Sequence, residues 1–312
     1  MQSEEAIMKL NPNSKNAIKQ FKLLSHFPIS DNQDDGFLDL FLLPINARNF
    51  DYNYVSDNLI ESVADYSLSW RIRENYKDKA MMLSKKAREK FKECERNDGE
   101  LGELLLFCFL EGHLEAPKIL TKLELKTSNK LYVNGSDGVH LKKIGDKKYH
   151  LIFGESKTYE KLTKAFENAF KSINEFVNEI NSKGESKSGI EFERGLISTN
   201  LEQIIFDEDD EDILNLLLYP ENRHSSDITL DDAFSIFVGY EINITKEQKE
   251  LSSDDFSNKI EKEVIFQIEN YKTKIYELIE KYELTGYTFY IFVMPFTEIE
   301  KNRKKILKRM LE

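Results

Sequence analysis

The stretch that decides the fold reads Leu151-Ile152-Phe153-Gly154-Glu155-Ser156-Lys157. Its first half closes an apolar run, Tyr149 to Phe153, that reads as a strand. Residues two apart in a strand share a face, so Glu155 and Lys157 project to one side at the strand's end. Just upstream, Asn134-Gly135-Ser136-Asp137-Gly138 reads as a tight turn. Val139-His140-Leu141 then opens a strand that Gly145-Asp146 turns back into the first. Two neighbouring strand ends therefore offer two carboxylates and an ammonium. Such a trio can hold a hard divalent cation through oxygen ligands and leave water positions open. The cation lowers the pKa of a bound water and polarises a phosphoryl oxygen, while the lysine orients that water or stabilises developing negative charge.

Glu-x-Lys or Asp-x-Lys alone is a weak signal: a chain with 56 acidic residues yields roughly six matches by chance. Glu124-x-Lys126, Asp146-x-Lys148, Glu185-x-Lys187 and Glu247-x-Lys249 are such matches. Glu155 differs in its setting, with an apolar strand before it, a glycine-flanked Asp one hairpin upstream and a helix after it. A surface ion pair at a strand end is the plain alternative.

Working outward, Leu101 to Glu111 reads as an apolar helix, Pro117 punctuates the chain, and Ile119 to Lys126 alternates like a strand. A long amphipathic helix follows from Glu160 to about Asn181, with Leu162, Phe166, Phe170, Ile173 and Phe176 on one face. Phe234 to Tyr240 and Tyr287 to Phe296 are near-continuously apolar, as expected of strands covered on both faces. Asp254 to Leu284 reads as one long helix and Glu298 to Leu311 as another. The first 90 residues are mixed, with a capped helix after Ser56-Asp57-Asn58 and a second across Lys77 to Arg96, broken at Asn97-Asp98-Gly99. The expectation is an α/β fold, a mixed sheet of three central and two late strands flanked by helices. Residues 1–96 would form a mainly helical and loop-rich accessory region, and 97–312 the main domain.

The 312 residues are 40% hydrophobic, with 21 Phe and 14 Tyr, which excludes a disordered chain over most of the length. The phenylalanines are expected in the core and not as base-stacking platforms. No apolar run approaches the roughly 18 residues of a membrane helix, and the start Met1-Gln2-Ser3-Glu4-Glu5 lacks the features of a secretory signal. Cys94 and Cys108 have no C-x-x-C spacing, so neither a disulfide scaffold nor a cysteine zinc site is expected. His26, His113, His140, His150 and His224 form no zincin-like pair; His140, three residues beyond Asp137, is expected to be structural or to support the metal site from behind its ligands. These features predict a soluble, cytoplasmic protein. The net charge of −12 argues against unaided gripping of duplex DNA. Positive charge nevertheless gathers at Lys301, Arg303, Lys304, Lys305, Lys308 and Arg309, either a solvated helix face or a polyanion contact. Asp207 to Asp212 is an unbroken acidic run, expected to be an exposed loop or helix start.

A helix, a hairpin carrying Asp and then a strand carrying Glu-x-Lys resemble the PD-(D/E)XK restriction-endonuclease-like superfamily. Gly102-Glu103-Leu104, Gly135-Ser136-Asp137-Gly138-Val139-His140 and Phe153-Gly154-Glu155-Ser156-Lys157 are similar, more closely, to the HamA family, nuclease subunits of the Hachiman antiphage system. The resemblance implies a restriction-endonuclease-like core and a Mg²⁺-dependent deoxyribonuclease, with Mn²⁺ as a possible substitute. It implies bacterial defence beside a helicase partner, HamB, with DNA as substrate. It also implies Asp137, Glu155 and the Ser156 carbonyl as metal ligands, and Glu103, Asp137, Glu155 and Lys157 as the catalytic set. The acidic residue that the superfamily places on the preceding helix is Glu103 or Glu100; Glu103 is favoured because Glu100 adjoins the Gly99 break. Glu111 and His113 lie too far along that helix. The proline that often precedes the Asp is absent, Ser136 standing in its place. A degenerate nuclease fold serving as a binding or adaptor module is the alternative.

Overall fold

The apolar runs around Phe234 and Phe289 become neighbouring strands deep inside a seven-stranded sheet. The computed structural model describes residues 10–30, 35–92, 99–121, 123, 135–181, 183–201, 211–219 and 227–312. In chain order the elements begin with α1 (Pro12–Ile18), β1 (Lys22–Pro28), β2 (Gly36–Leu42), β3 (Ile45–Asn46), β4 (Asn49–Phe50), α2 (Tyr52–Leu59), α3 (Val63–Ser67), α4 (Trp70–Tyr76) and α5 (Ala80–Lys92). The middle of the chain forms α6 (Glu100–Gly112), β5 (Lys118–Thr121), β6 (Gly138–Gly145), β7 (Lys148–Tyr159), α7 (Leu162–Val177), α8 (Ile190–Leu201) and α9 (Glu211–Leu218). The last part forms β8 (Thr229–Glu241), α10 (Lys246–Glu250), α11 (Ser253–Glu269), α12 (Lys272–Lys281), β9 (Thr288–Phe296) and α13 (Ile299–Leu311).

The strand order is β1-β2-β9-β8-β7-β6-β5. β2, β9, β8 and β7 run parallel, and the antiparallel strands β1, β6 and β5 flank them. A parallel centre needs cover on both faces. One cover is α6, whose residues from Glu100 to Glu111 are all buried, as a helix apolar on nearly all sides must be. Its Phe109 ring stacks on Phe292 at 5.0 Å and on Phe237 at 6.0 Å. The other cover is α7, where Phe166, Ala169, Phe170, Ile173 and Phe176 form a buried stripe at helical spacing. Phe170 meets Phe289 at 5.5 Å and Phe176 meets Phe153 at 5.2 Å. The result is three layers, helix, sheet and helix, joined in one apolar core that runs from Ala17 to Leu311.

The mixed α/β sheet with flanking helices is as expected, and helices α1 to α5 occupy the N-terminal region. That region also supplies two strands that its composition did not suggest. β2 pairs in parallel with β9 and β1 caps β2, so the sheet has seven strands and not five. Phe37-Leu38-Asp39-Leu40-Phe41-Leu42 has the buried, near-continuous character of a central strand, but Asp39 interrupts its apolar run. The expected cap at Ser56 to Asn58 also moves: α2 starts at Tyr52, capped by Asp51, whose carboxylate accepts from the Tyr54 N–H at 3.0 Å. The single helix expected over Asp254 to Leu284 is two, α11 and α12, broken at Asn270-Tyr271. β5 ends at Thr121. Cys94, Asn97-Asp98, Leu125-Lys126, Asn134, His224 and Asp207 to Asp210 lie outside the described residues.

Candidate functional site

β7 outruns β6. Its ladder with β6 closes at Gly138↔Gly154, whereas its ladder with β8 continues to Tyr159↔Tyr240. A strand edge beyond the end of its partner leaves backbone groups that need another mate. Asp137 supplies it twice. Its N–H donates to the Gly154 carbonyl at 2.8 Å, and its Oδ2 accepts from the Ser156 N–H at 2.8 Å. The carboxylate is thereby held against the Glu-x-Lys segment.

Gly102 of α6 shows which way that segment faces. A Cβ there would meet Ser156 Oγ at 2.2 Å and Thr158 Oγ1 at 3.0 Å. Ser156 and Thr158 thus lie under α6, with the helix brought close by the missing side chain. Alternation sends Glu155 and Lys157 to the other face with Phe153. There the Lys157 ammonium pairs with Glu155 Oε1, the two side chains 23% and 14% exposed. Partial burial shields this pair from solvent more than a surface ion pair.

On the α6 face, Glu103 accepts a hydrogen bond from the Tyr66 hydroxyl at 2.8 Å. Burial pushes the Tyr66 pKa well above its ordinary value, and the charges of Glu103, Asp137 and Glu100 add to the shift. The phenol therefore stays a proton donor, with three acids gathered near it. Tyr66, Glu103, Phe107, Asp137 and His140 line a small cavity. His140 is fully buried, and burial depresses its pKa to about 3. Its Nδ1–H donates to the Ala116 carbonyl at 2.8 Å, so the ring is neutral and bound to the backbone. Tyr66 was not legible in the sequence: it lies far upstream on α3, and only long-range packing brings it to α6. Glu111 and His113 are indeed elsewhere. Glu111 accepts from the Lys118 N–H at 3.1 Å and the Ser14 hydroxyl at 3.4 Å, and His113 Nε2 lies 2.7 Å from Asp39 Oδ2.

The arrangement thus joins Asp137 to Ser156, Glu155 to Lys157, and Glu103 to Tyr66. Glu103 comes from α6, which covers the Ser156 face of β7, whereas Glu155 projects from β7 to the other face. Among the described residues, no three acids, histidines or cysteines converge as a ready-made metal cage. The donors available at the strand end, the Asp137 and Glu155 carboxylates and the Ser156 carbonyl, are all hard oxygens. Donors of that class suit a hard cation that keeps several waters.

The basic C-terminal segment is the exposed face of α13, with Lys301, Lys304, Lys305, Lys308 and Arg309 outward and Arg303 buried. Arg309 makes a two-pronged bond to Asp57 at 2.6 and 2.7 Å, Arg303 pairs with Glu300 at 2.9 Å and Lys308 with Glu312 at 3.5 Å.

The family model described as HamA matches residues 17–310, from the end of α1 into the last turn of α13. The chain belongs to the HamA family. HamA membership makes it an antiphage defence protein of the Hachiman type. The match extends over the N-terminal strands and α13 as well as the segment from Gly102 to Lys157, so the HamA unit includes the whole sheet. No curated protein matches the chain. Among the described residues, no helix is long and apolar enough to cross a membrane.

Proposed function

We propose that the chain is a metal-dependent deoxyribonuclease that hydrolyses phosphodiester bonds in antiphage defence, working beside the helicase HamB. The observation that carries the reading is the tie between Asp137 and Ser156 at 2.8 Å, which holds one acid against the strand that bears the Glu155–Lys157 pair. Asp137, Glu155 and the Ser156 carbonyl would hold Mg²⁺ or Mn²⁺, which when bound supplies an acidified water and offsets phosphate charge. Lys157 contributes a fixed ammonium beside the reacting phosphate, where it stabilises charge that grows in the transition state. Glu155 keeps that ammonium in place. Glu103, a proton acceptor toward Tyr66, lines the same small cavity as Asp137 and adds negative charge there, which strengthens the pull on a cation.

The net charge of −12 supports delivery to DNA by a partner, since long-range repulsion weakens unaided binding. Incubating the purified chain with plasmid and with a nucleotide mixture, each with Mg²⁺ and with EDTA, tests the reading. Plasmid cleavage that needs Mg²⁺, with nucleotides untouched, is the expected result. Hydrolysis of nucleotides alone, or no hydrolysis with or without HamB, would overturn it.

A further inference from the structure

The turn that carries Asp137 is held by a residue from a different part of the chain. Glu193 of α8 is 1% exposed. One of its carboxylate oxygens accepts from the Ser136 N–H at 2.8 Å and the other from the Ser136 hydroxyl at 2.8 Å. Burying a carboxylate is costly unless it is well bonded, and a two-oxygen grip on a backbone amide and a hydroxyl is both strong and directional. The Ser136 hydroxyl oxygen also lies 3.2 Å from the Gly138 carbonyl, but its single proton serves the carboxylate, so the grip acts on Ser136 itself, next to Asp137.

Gly135 makes the grip possible. A Cβ at that position would sit 2.1 Å from Glu193 Oε1. Its φ is not among the positive values, which among the described glycines belong to Gly36, Gly184 and Gly286. The glycine before Ser136 therefore serves close approach by Glu193 and not a left-handed bend. The residue after Glu193 anchors the same helix: Arg194 Nη2 reaches Asp232 Oδ2 on β8 at 2.6 Å, with both side chains largely buried. α8 is thus fixed to the sheet by one side chain and to the Asp137 turn by its neighbour.

We propose that Glu193 is a positioning residue. It fixes the Ser136 backbone so that the Asp137 carboxylate, tied at its other end to the Ser156 N–H, presents a set orientation to a divalent cation. The inference rests on the nuclease reading for what Asp137 does, and on hydrogen bonding alone for what Glu193 does.

The test measures Mn²⁺ binding to the full chain by titration calorimetry, with hydrogen exchange at the Ser136 and Asp137 amides and a thermal melt as companions. Removing a residue that orients a metal ligand weakens binding roughly 10–100-fold. Glu193→Ala should show that loss and faster exchange at both amides. Glu193→Gln keeps an acceptor for the amide and a donor for the hydroxyl oxygen, so it should stay within a few-fold of the parent. A folded Glu193→Ala with parental Mn²⁺ affinity, or a Glu193→Gln as weak as Glu193→Ala, overturns the proposal. If Glu193→Ala does not fold, Ser136→Ala decides, since it deletes only the hydroxyl arm: several-fold weaker binding supports the role and parental binding overturns it. A parent that neither binds Mn²⁺ nor cuts DNA removes the nuclease reading and the positioning role with it. The exchange data then report separately whether the Glu193 grip exists.

Discussion

The cation role proposed for Asp137 and its hydrogen bond to the Ser156 N–H pull its substitutions apart. As an anionic oxygen donor it should bind a cation, so both Asp137→Ala and Asp137→Asn should weaken Mg²⁺ binding in calorimetry. As an acceptor for the Ser156 N–H it closes the open edge of β7. Relief of repulsion among neighbouring acids alone would let a metal-free Asp137→Ala melt at or above the parental temperature. The hydrogen bond reverses that expectation, because an amide left without its acceptor costs about 1–3 kcal/mol. Asp137→Ala should therefore melt below the parent and Asp137→Asn near it; equal melting of the two in a metal-free thermal scan would remove the edge-closing role. His140 makes a second residue-scale test. Its folded pKa, about 3, lies below the unfolded value of roughly 6.5. The unfolded chain therefore takes up the proton first, and stability falls as pH drops below that unfolded value, by about 1.4 kcal/mol per unit. Urea melts at about pH 7 and about pH 5 should show a smaller loss in His140→Gln than in the parent. An identical loss would mean that His140 is not buried neutral.

At the scale of elements, α6 is the piece on which the site depends, since it covers β7 through Gly102 and brings Glu103 to Tyr66. Phe109 pins it to β8 and β9, and Phe109→Ala should cost about 3–5 kcal/mol in denaturant unfolding. A loss below about 1 kcal/mol would mean that the stacked rings are not holding the layers. The sequence makes α6, β7 and α7 readable because each has one clean period: apolar all round, a short apolar run, and a helical stripe of Phe166, Phe170, Ile173 and Phe176. Asp137, Glu155 and Lys157 stand out for the same local reason, being at a turn and at two alternate positions of one strand. Tyr66, Glu193 and β2 do not stand out. The first two act across long sequence separations, and no local period encodes a partner on another helix. β2 hides because Asp39, which belongs in a core strand only when paired to His26 and His113, interrupts its apolar run.

At the scale of the whole molecule, the net charge is −12, and α13 is one place among the described residues where clustered positive charge faces outward. Arg303 is turned into the core and Arg309 is engaged with Asp57, so Lys304 and Lys305 are central to any phosphate contact. Replacing Lys304, Lys305, Lys308 and Arg309 by Ser should lower cleavage by the isolated chain and flatten its salt dependence, by about 0.9 in the log–log slope per phosphate no longer neutralised. Unchanged cleavage with lost co-purification of HamB would assign the helix to the partner instead. The strand end of β7 is the proposed seat of the chemistry, and the half-buried Lys157 ammonium is its most accessible reporter. Plasmid cleavage under Mg²⁺ by the parent and by Lys157→Ala, each checked by its thermal melt, addresses that directly. A catalytic strand end predicts that Lys157→Ala still folds, melting below the parent because the largely buried Glu155 loses its partner, and leaves the plasmid intact; cleavage at the parental rate would contradict it.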